Sequence, residues 1–298
     1  MLTFQEASYF FRCGMKNFIS RKAKPLFKGV VVTDFCNLRC KHCTICDNKI
    51  GSIPFDELKK FLQQLFQDGV RIVYLQGGEP FSWKDQENNI ESIISYAKSL
   101  GIFRVYVCTN GTYNLNTNAD IIWLSIDGLR ERHNLIREDS FDIIMQNLNS
   151  STHKNIIVQT TLNTINYPDL SGLVQFVEAH PKLIGIIFNF HVPYPGTENL
   201  YIDEPLRSQL IEEIINLKKK NAPIFNTMSA LISFKTNSWK RPLSTCLSSS
   251  YQERSQCESA RTDRRICKKC GYGATIEASE INKFNIPVMY KMTKMLFS

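Results

Sequence analysis

Two patterns of apolar and polar positions alternate along most of the chain. Apolar runs of four to seven residues are followed by longer segments in which apolar side chains recur every three or four positions. The runs are typical of buried strands and the periodic segments of amphipathic helices. The runs predict strands at Gly29–Val32, Val70–Leu75, Phe103–Val107, Ile121–Ile126, Ile156–Leu162 and Ile184–Phe190. The periodic segments predict helices at Phe55–Phe66, Asn89–Leu100, Phe141–Leu148, Tyr167–Ala179 and Asp203–Lys219.

Strands that alternate with helices predict an α/β fold with a parallel sheet, because each helix carries the chain back to start the next strand. Six such units are fewer than the eight of a closed (β/α) barrel. A doubly wound open sheet is the competing fold, but no G-x-G-x-x-G follows the first strand. In barrels of this kind, functional side chains collect on the loops at the carboxyl ends of the strands.

The loop after the first predicted strand carries Cys36, Cys40 and Cys43 in a C-x3-C-x2-C spacing. A structural zinc ion takes four ligands, and a cubane iron–sulfur cluster is normally held by four cysteines. The triplet therefore predicts a soft-metal site that is one ligand short. Cys46 lies three residues beyond Cys43, so the alternative of a four-cysteine zinc knuckle stays open at this point.

Polar motifs follow the next three strands. Gly77-Gly78-Glu79-Pro80 comes after the second, and its two glycines would let the backbone approach a ligand closely, while Pro80 stiffens the exit. Thr109-Asn110-Gly111 follows the third strand, and Ser125-Ile126-Asp127-Gly128 follows the fourth, with Arg137 further along. Each alone is also consistent with turn chemistry, since Asn-Gly and Asp-Gly are strong turn formers.

Together, the cysteine triplet and these strand-end motifs resemble the radical SAM enzymes. The resemblance implies a partial (β/α)6 TIM-like barrel and a [4Fe–4S] cluster on Cys36, Cys40 and Cys43, with its open iron bound by S-adenosylmethionine. Reductive cleavage of that cofactor then gives a 5′-deoxyadenosyl radical. The cofactor-binding residues it implies are Gly77, Gly78, Glu79 and Pro80 for the amino group, Asn110, Ser125 for the ribose and Arg137 for the carboxylate. Cys46 is then expected to be dispensable.

Two further strand ends offer candidates. Asn163, at the end of the fifth predicted strand, is an additional polar candidate for cofactor binding. After the sixth strand, Asn189–Gly196 contains two prolines and a glycine, which predict a rigid loop at the active face. His191 and Tyr194 in this loop are candidate catalytic residues that would touch substrate or relay a proton. A purely structural histidine is the alternative.

A second group of cysteines lies near the carboxyl end of the chain. Its four members suit either structural zinc or a closed cubane cluster, and neighbouring basic residues would offset the thiolate charge. They are Cys246, Cys257, Cys267 and Cys270. The pattern resembles the twitch or SPASM extensions of radical SAM enzymes and the tail of adenosylhopane synthase, which implies an auxiliary [4Fe–4S] cluster. Cys108, in the third strand, is expected to be a small core residue.

The amino-acid composition indicates the cellular compartment and the kind of partner to expect. Ten cysteines in 298 residues without a secretion signal indicate metal or redox chemistry in a reducing compartment, so a cytoplasmic location is expected. No nucleic-acid-binding signature accompanies the net charge of +8. Apolar positions over residues 4–20 predict a helix that lies on a membrane surface or packs against the base of the barrel. The apolar residues with lysines at 288–297 are similar.

These observations divide the chain into an amino-terminal helix with its lead-in (1–28), a radical SAM barrel (29–220) and a cysteine-rich extension (221–298). The expected substrate is a small or lipid-like molecule, with a peptide as the alternative. The expected electron donor is a reductant such as flavodoxin or ferredoxin. A non-catalytic iron–sulfur or zinc protein is the alternative of a different class.

Overall fold

The computed structural model describes Tyr9 and residues 27–46, 51–239 and 263–282. Its strands are β1 (Phe27–Thr33), β2 (Ile72–Gly77), β3 (Lys84–Asp85), β4 (Asn88–Asn89), β5 (Arg104–Thr109), β6 (Ile121–Ser125), β7 (Ile156–Leu162) and β8 (Leu183–Phe190). Its α-helices are α1 (Phe55–Gln67), α2 (Ile90–Ser99), α3 (Arg130–Arg137), α4 (Phe141–Ser150), α5 (Leu170–Ala179), α6 (Leu206–Lys219), α7 (Met228–Lys235), α8 (Arg264–Lys268) and α9 (Gly273–Asn282).

Six strands form one parallel sheet in the order β1-β2-β5-β6-β7-β8. This confirms the six predicted strands and the α/β fold, with strand ends that differ from the predicted ones by at most a few residues. The short strands β3 and β4 form a separate antiparallel pair before α2. The carboxyl ends of all six parallel strands therefore lie at one edge, where the predicted motifs are found.

The sheet curves strongly enough to form a partial barrel. Phe27 belongs to β1 and Trp123 to β6, three strands away in the sheet order, yet their ring centroids are 5.9 Å apart. Neighbouring strands are about 4.8 Å apart, so these two rings would be far apart in a flat sheet. The prediction of a partial (β/α)6 TIM-like barrel is thereby confirmed.

Side chains that point alternately to the two faces of the sheet divide the core into two layers. Val30, Val73 and Val105 pack against α1 and α2 on the outside of the sheet. Tyr74 and Tyr106 have the opposite parity and pack with one another inside the barrel. Because strand side chains point alternately to the two faces, the short apolar runs of the sequence fill both layers.

The helices differ from the predicted ones in several places. No helix was predicted at α3, whose Arg130–Arg137 stretch is strongly polar, nor at α7, α8 or α9. The chain leaves α3 at Glu138 in a left-handed conformation (φ 53°). The segment predicted as one helix from Tyr167 begins with a 3-10 turn over Tyr167–Asp169. The helix predicted from Asp203 begins at Leu206, after Pro205. Gly101 follows α2 at φ 92°, as expected for a glycine just past a helix end.

Within the carboxyl-terminal extension, residues 263–282 pack against β8 and against α7. The Phe190 N–H donates to the Gly271 carbonyl at 2.9 Å, and Ile276 is buried in the core beside them. Ser233 on α7 donates to Glu280 on α9 at 2.6 Å. Residues 263–282 are thus attached along the last strand of the barrel.

Tyr9 lies at the base of the barrel, at the amino ends of the strands. Its hydroxyl hydrogen-bonds to the carbonyl of Gly69, and its ring meets the edge of Phe103 with centroids 5.4 Å apart. The other residues of the predicted 4–20 helix, Cys13 and the 288–297 stretch lie outside the described residues. Within the described ranges, every helix is too short or too polar to cross a bilayer.

Candidate active site

The cysteine loop lies directly against the end of β2. The Gly78 N–H donates to the Thr33 carbonyl and the Glu79 N–H to the Phe35 carbonyl, both at 2.8 Å. A Cβ at Gly77 would be 2.0 Å from the Thr33 oxygen, and one at Gly78 would be 2.1 Å from the Phe35 oxygen. The sequence interpretation gave these glycines to a ligand, whereas the structure brings the exit of β1 against them.

Glu79 joins the ends of β2 and β5 from a fully buried position. Its carboxylate accepts from the Thr109 hydroxyl at 2.8 Å, the Asn110 N–H at 2.7 Å and the Phe81 N–H at 3.0 Å. Burial raises the pKa of Glu79 to about 7, although these donors favour the ionised form. Its neighbour Pro80 is buried at the start of a 3-10 turn.

Asn110 directs its side chain at the cysteine loop. Its Nδ2 lies 3.6 Å from the Cys36 sulfur and donates to the Asn37 Oδ1 at 2.9 Å. Its Oδ1 accepts from the Thr112 N–H at 2.9 Å, which fixes the orientation of the amide. An N–H donor therefore faces the sulfur of the first cysteine of the triplet.

Arg137 provides a second donor to the triplet. Its Nη1 lies 3.8 Å from the Cys40 sulfur, and its Nε donates to Asp127 at 2.6 Å. Asp127 is fully buried and also accepts from the Thr161 N–H at 2.7 Å. Burial opposes ionisation of Asp127, but the charge of Arg137, together with neighbouring histidines and the Thr161 N–H, holds the pKa of this carboxyl below its usual value.

His42, between Cys40 and Cys43, contributes an unsatisfied polar atom. Its Nδ1 is buried and has no hydrogen-bond partner in the part of the chain that the structure describes. Its Nε2 is 3.7 Å from Asp127, and its ring centroid is 6.4 Å from that of His191. Burial lowers the pKa of His42 to about 4, so the ring is neutral near pH 7.

Cys46 contacts two of the three cysteines. Its sulfur is 3.8 Å from that of Cys43, and it also hydrogen-bonds to Cys36. Hydrogen bonding from Cys46 lowers the pKa values of Cys36 and Cys43 to about 6 and raises the pKa of Cys46. Burial raises the pKa of Cys40 to about 11, against the opposing charge of Arg137.

These residues fit a bound metal group. Among the described residues, no three His, Cys, Asp or Glu side chains are already arranged around a single metal ion, although the sulfur of Cys46 lies close to those of Cys36 and Cys43. A cubane binds each thiolate at a different iron and therefore takes cysteines that are more widely spaced. The donors from Asn110 and Arg137 and the unsatisfied Nδ1 of His42 agree with a bound group at this loop.

Three other predicted site residues lie at the same edge of the barrel in different settings. Ser125 ends β6 and is partly exposed. Asn163 is fully buried, and its Oδ1 accepts from the Ile165 N–H at 2.9 Å within its own turn. His191 is 3% exposed, and its Nε2 lies 3.0 Å from both the carbonyl and the hydroxyl oxygen of Thr197.

Tyr194 and the second cysteine group meet beside β8. Tyr194 is 5% exposed and packs in a small cluster with Cys267 and Tyr272. Arg207 on α6 donates to the carbonyls of Cys270 at 2.9 Å and Lys269 at 3.3 Å. Cys246 and Cys257 lie outside the described residues, so the four-cysteine site stays a prediction.

Asp127 and His42 were missed as site residues by sequence reasoning. Both lie inside motifs that the sequence indicated. The available signal for Asp127 was the arginine ten residues further along the chain, Arg137. Their positions depend on contacts between residues far apart in the sequence, such as His42 with Asp127 and Asp127 with Thr161.

Comparison with known proteins agrees with this geometry. Residues 30–172 match the profile described as the Radical SAM superfamily. The chain is 24% identical over 217 residues to a GTP 3',8-cyclase of Campylobacter jejuni, covering 65% of this chain and 67% of that enzyme.

Solved structures show the same fold. Streptococcus suis SuiB bound to precursor peptide SuiA superposes with a TM-score of 0.56 at 15% identity, over 78% of this chain and 55% of SuiB. Methylornithine synthase superposes with a TM-score of 0.51 at 14% identity, over 94% of this chain and 93% of that one. The chain thus spans about half of SuiB, and it spans 37% to 67% of the first curated relatives it matches.

Proposed function

We propose that this chain, whose residues 30–172 match the Radical SAM superfamily profile, uses a 5′-deoxyadenosyl radical to modify an unreactive carbon of its substrate. The family implies a [4Fe–4S] cluster and S-adenosylmethionine as cofactors. Once bound and reduced, the cluster supplies one electron that breaks the sulfonium into methionine and the radical. The protein holds the reactants in place and excludes competing reactions.

The observation that carries this proposal is the pair of donors aimed at two different sulfurs of the triplet. Asn110 faces Cys36 at 3.6 Å, and Arg137 faces Cys40 at 3.8 Å. Hydrogen bonds and positive charge stabilise thiolate sulfur, which is the form that binds iron. Asp127 and Glu79 are buried behind these donors and fix them.

The triplet, with the strand-end residues around it, leaves the fourth ligand position to S-adenosylmethionine. Ser125, partly exposed at the end of β6, is the proposed ribose contact. Arg137 is the proposed partner of the cofactor carboxylate in addition to Asp127. Gly77 to Pro80 and Asn163 are proposed to frame the cofactor from their strand ends, and His191 and Tyr194 are proposed to face the substrate.

The substrate is proposed to be a small or lipid-like molecule, with a peptide as the alternative. One relative is named for its reaction on GTP, and SuiB is bound to a precursor peptide. Both classes therefore occur among proteins that this chain resembles. The electron donor is proposed to be a flavodoxin or ferredoxin in the cytoplasm. Peripheral membrane contact through the amino-terminal segment is a further proposal; of that segment, the structure describes Tyr9, which contacts Gly69 at the barrel base.

An auxiliary [4Fe–4S] cluster is proposed on Cys246, Cys257, Cys267 and Cys270, with zinc as the alternative metal. Its support is the anchoring of the Cys267–Cys270 turn. Arg207, 6% exposed, fixes two carbonyls of this turn beside the exit of β8. A site held there would face the mouth of the barrel.

Anaerobic reconstitution with iron and sulfide, followed by dithionite and S-adenosylmethionine, tests the proposal. We expect 5′-deoxyadenosine and methionine in equal amounts, and none from a Cys40→Ser variant. Ser95→Ala, on the exposed side of α2, is the control and is expected to retain the products. A reconstituted protein that forms neither product would favour the non-catalytic iron–sulfur or zinc protein.

A further inference from the structure

The inside of the barrel has two halves of different chemistry. Near the amino ends of the strands it is closed by aromatic rings. Phe27 and Tyr74 lie with centroids 4.8 Å apart, and Tyr106 and Trp123 lie 5.5 Å apart. Gly29 makes room for this layer, because a Cβ there would be 2.4 Å from the Tyr74 ring. The lower half is therefore a packed floor.

The upper half is lined by the next inward position of each strand. Gln76 continues the inward parity of Tyr74 on β2, and Cys108 that of Tyr106 on β5. Ser125 and Gln159 are direct neighbours across β6 and β7, and Thr161 is paired with Asn189 across β7 and β8. Charged residues are absent from these inward positions of the described upper strands, where the wall consists of Val31, Thr33, Gln76, Cys108, Ser125, Gln159, Thr161 and Asn189.

The partial exposure of the inward-facing side chains shows that the upper half is open. Gln76, Cys108, Ser125, Gln159 and Thr161 are all partly exposed. Their outward-facing neighbours Leu75, Leu124 and Val158 are completely buried. In a sheet whose outer face is covered by helices, exposure on the inner face means an accessible space above the aromatic floor. Binding sites commonly take this form, an enclosed space with a few placed polar groups.

The two glutamines stand in this space with unused hydrogen-bonding capacity. No described residue hydrogen-bonds to the carboxamide of Gln76 or of Gln159, in contrast to Asn189, whose Oδ1 accepts from the Gly273 N–H at 2.9 Å. Each carboxamide offers two N–H donors and an acceptor oxygen in one plane. Because the space is open, these groups are available to a bound molecule, which would supply their partners.

We infer that Gln76 and Gln159 bind an uncharged carboxamide- or lactam-like group of the substrate inside the barrel, above the aromatic floor. This rests on the proposed function, whose substrate it narrows. A planar amide carries both an N–H donor and an acceptor oxygen, so it can hydrogen-bond to both glutamines. A carboxylate or phosphate at this depth would meet no cationic side chain on the strand wall, and burying an unpaired charge is costly. A hydrocarbon would leave both carboxamides without partners.

Three probes of one shape separate these classes: benzamide, benzoate and toluene. Their dissociation constants are measured by ligand-observed NMR with the reconstituted enzyme and bound S-adenosylmethionine. We expect benzamide to bind about ten-fold more tightly than either of the other two, the difference that one or two satisfied amide contacts provide. Equal or tighter binding of benzoate or toluene, or no detectable binding of benzamide, would overturn the inference.

Variants locate the binding. Gln159→Leu and Gln76→Leu are each expected to weaken benzamide binding about ten-fold while leaving the affinity for S-adenosylmethionine unchanged. Gln63→Leu, on the exposed side of α1, is the control and should change neither. Retained benzamide preference in both leucine variants, or loss of cofactor affinity in them, would contradict the assignment. Probe binding does not require turnover. The binding test can therefore fail while 5′-deoxyadenosine formation, which tests the proposed function, succeeds.

Discussion

Arg137 donates from Nε to the carboxylate of Asp127 at 2.6 Å, and the two side chains are 10% and 0% exposed. The same guanidinium reaches the Cys40 sulfur through Nη1. A buried charge of this kind holds its place only while its partner is present, because removal of either leaves an uncompensated charge in the interior. The pair thus couples the stability of the barrel to the geometry of the cysteine loop.

Arg137→Met is therefore expected to lower the free energy of unfolding by about 3–5 kcal/mol, as measured by urea denaturation of the iron-free chain. The double variant with Asp127→Asn should recover part of the loss. Arg130→Met is the matched control on the same helix, since Arg130 pairs with Asp142 in an exposed position and should cost less than about 1 kcal/mol. Equal effects of the two single variants would contradict a special role for the buried pair.

Cys46→Ser is predicted to retain the cluster at the triplet. Cys46 lies 3.8 Å from Cys43, but the fourth position is expected to belong to S-adenosylmethionine. Iron content, the absorbance of the reconstituted protein and 5′-deoxyadenosine formation should match those of the parent protein. Cys43→Ser, which removes a proposed ligand, should lose the triplet's share of the iron and of the absorbance and should form no 5′-deoxyadenosine. Loss of the cluster in Cys46→Ser would instead indicate a fourth protein ligand.

The double variant Cys267→Ala with Cys270→Ala tests the auxiliary site. If two [4Fe–4S] clusters are present, the iron content should fall from about eight to about four per chain. Cys108→Ala is the control and should keep the full amount. Unchanged iron together with a loss of bound zinc would assign the site to zinc, and no change in either metal would remove the proposed site.

Gly78→Ala is predicted to disturb the cysteine loop. The added Cβ would lie 2.1 Å from the Phe35 carbonyl oxygen, and a backbone atom cannot move aside as a side chain does. We expect destabilisation of about 1–3 kcal/mol and a reduced iron content after reconstitution. Gly172→Ala on α5 is the comparison, because its Cβ would meet only the Leu129 side chain at 3.2 Å. Normal iron loading of Gly78→Ala would contradict the close approach of β2 to the loop.

Glu277 on α9 gives the extension a pH-dependent stability. It accepts from the N–H and the hydroxyl of Thr227 at 2.7 and 2.6 Å. Burial raises the pKa of Glu277 from 4.5 to about 7, with Lys218 opposing and Glu280 adding to the shift. The folded chain therefore holds this proton more tightly than the unfolded chain, and stability is lost as pH rises between these two values.

In the parent protein, the free energy of unfolding should fall by up to about 3 kcal/mol across this pH range, as followed by urea unfolding. Glu277→Gln should remove most of this fall. The amide cannot ionise, so its own contribution does not change with pH. Glu178→Gln, on an exposed side of α5, should leave the slope as it is in the parent protein. Identical slopes for Glu277→Gln and the parent chain would show that this carboxyl ionises normally in the fold.

Local pattern predicted the sheet well because its strands are short apolar runs buried on both faces. β7, Ile156–Leu162, was predicted to the residue. The helix α3 was missed because Arg130–Arg137 has only two apolar residues, Leu135 and Ile136, and no sustained period. Periodicity cannot identify a helix that is held by polar contacts at its ends.

The candidate site was predictable where its chemistry is local and not where it depends on the fold. The triplet is visible as three cysteines in one loop. The contact of Arg137 with Cys40 joins residues 97 positions apart, and that of Asn110 with Cys36 joins residues 74 apart. Gly77 and Gly78 were predicted to let the backbone approach a ligand, which stays a prediction; the neighbours that the structure shows there are the backbone atoms of Thr33 and Phe35. Such pairings arise only from strand order and register.

Cys36, Cys40 and Cys43 are proposed to hold a [4Fe–4S] cluster with one iron left open to S-adenosylmethionine. Electron paramagnetic resonance of the dithionite-reduced Cys267→Ala/Cys270→Ala variant tests this proposal without interference from a second cluster. We expect a signal from one reduced cluster per chain that changes on addition of S-adenosylmethionine. A signal that the cofactor leaves unaltered, or one that survives Cys36→Ser, would contradict it.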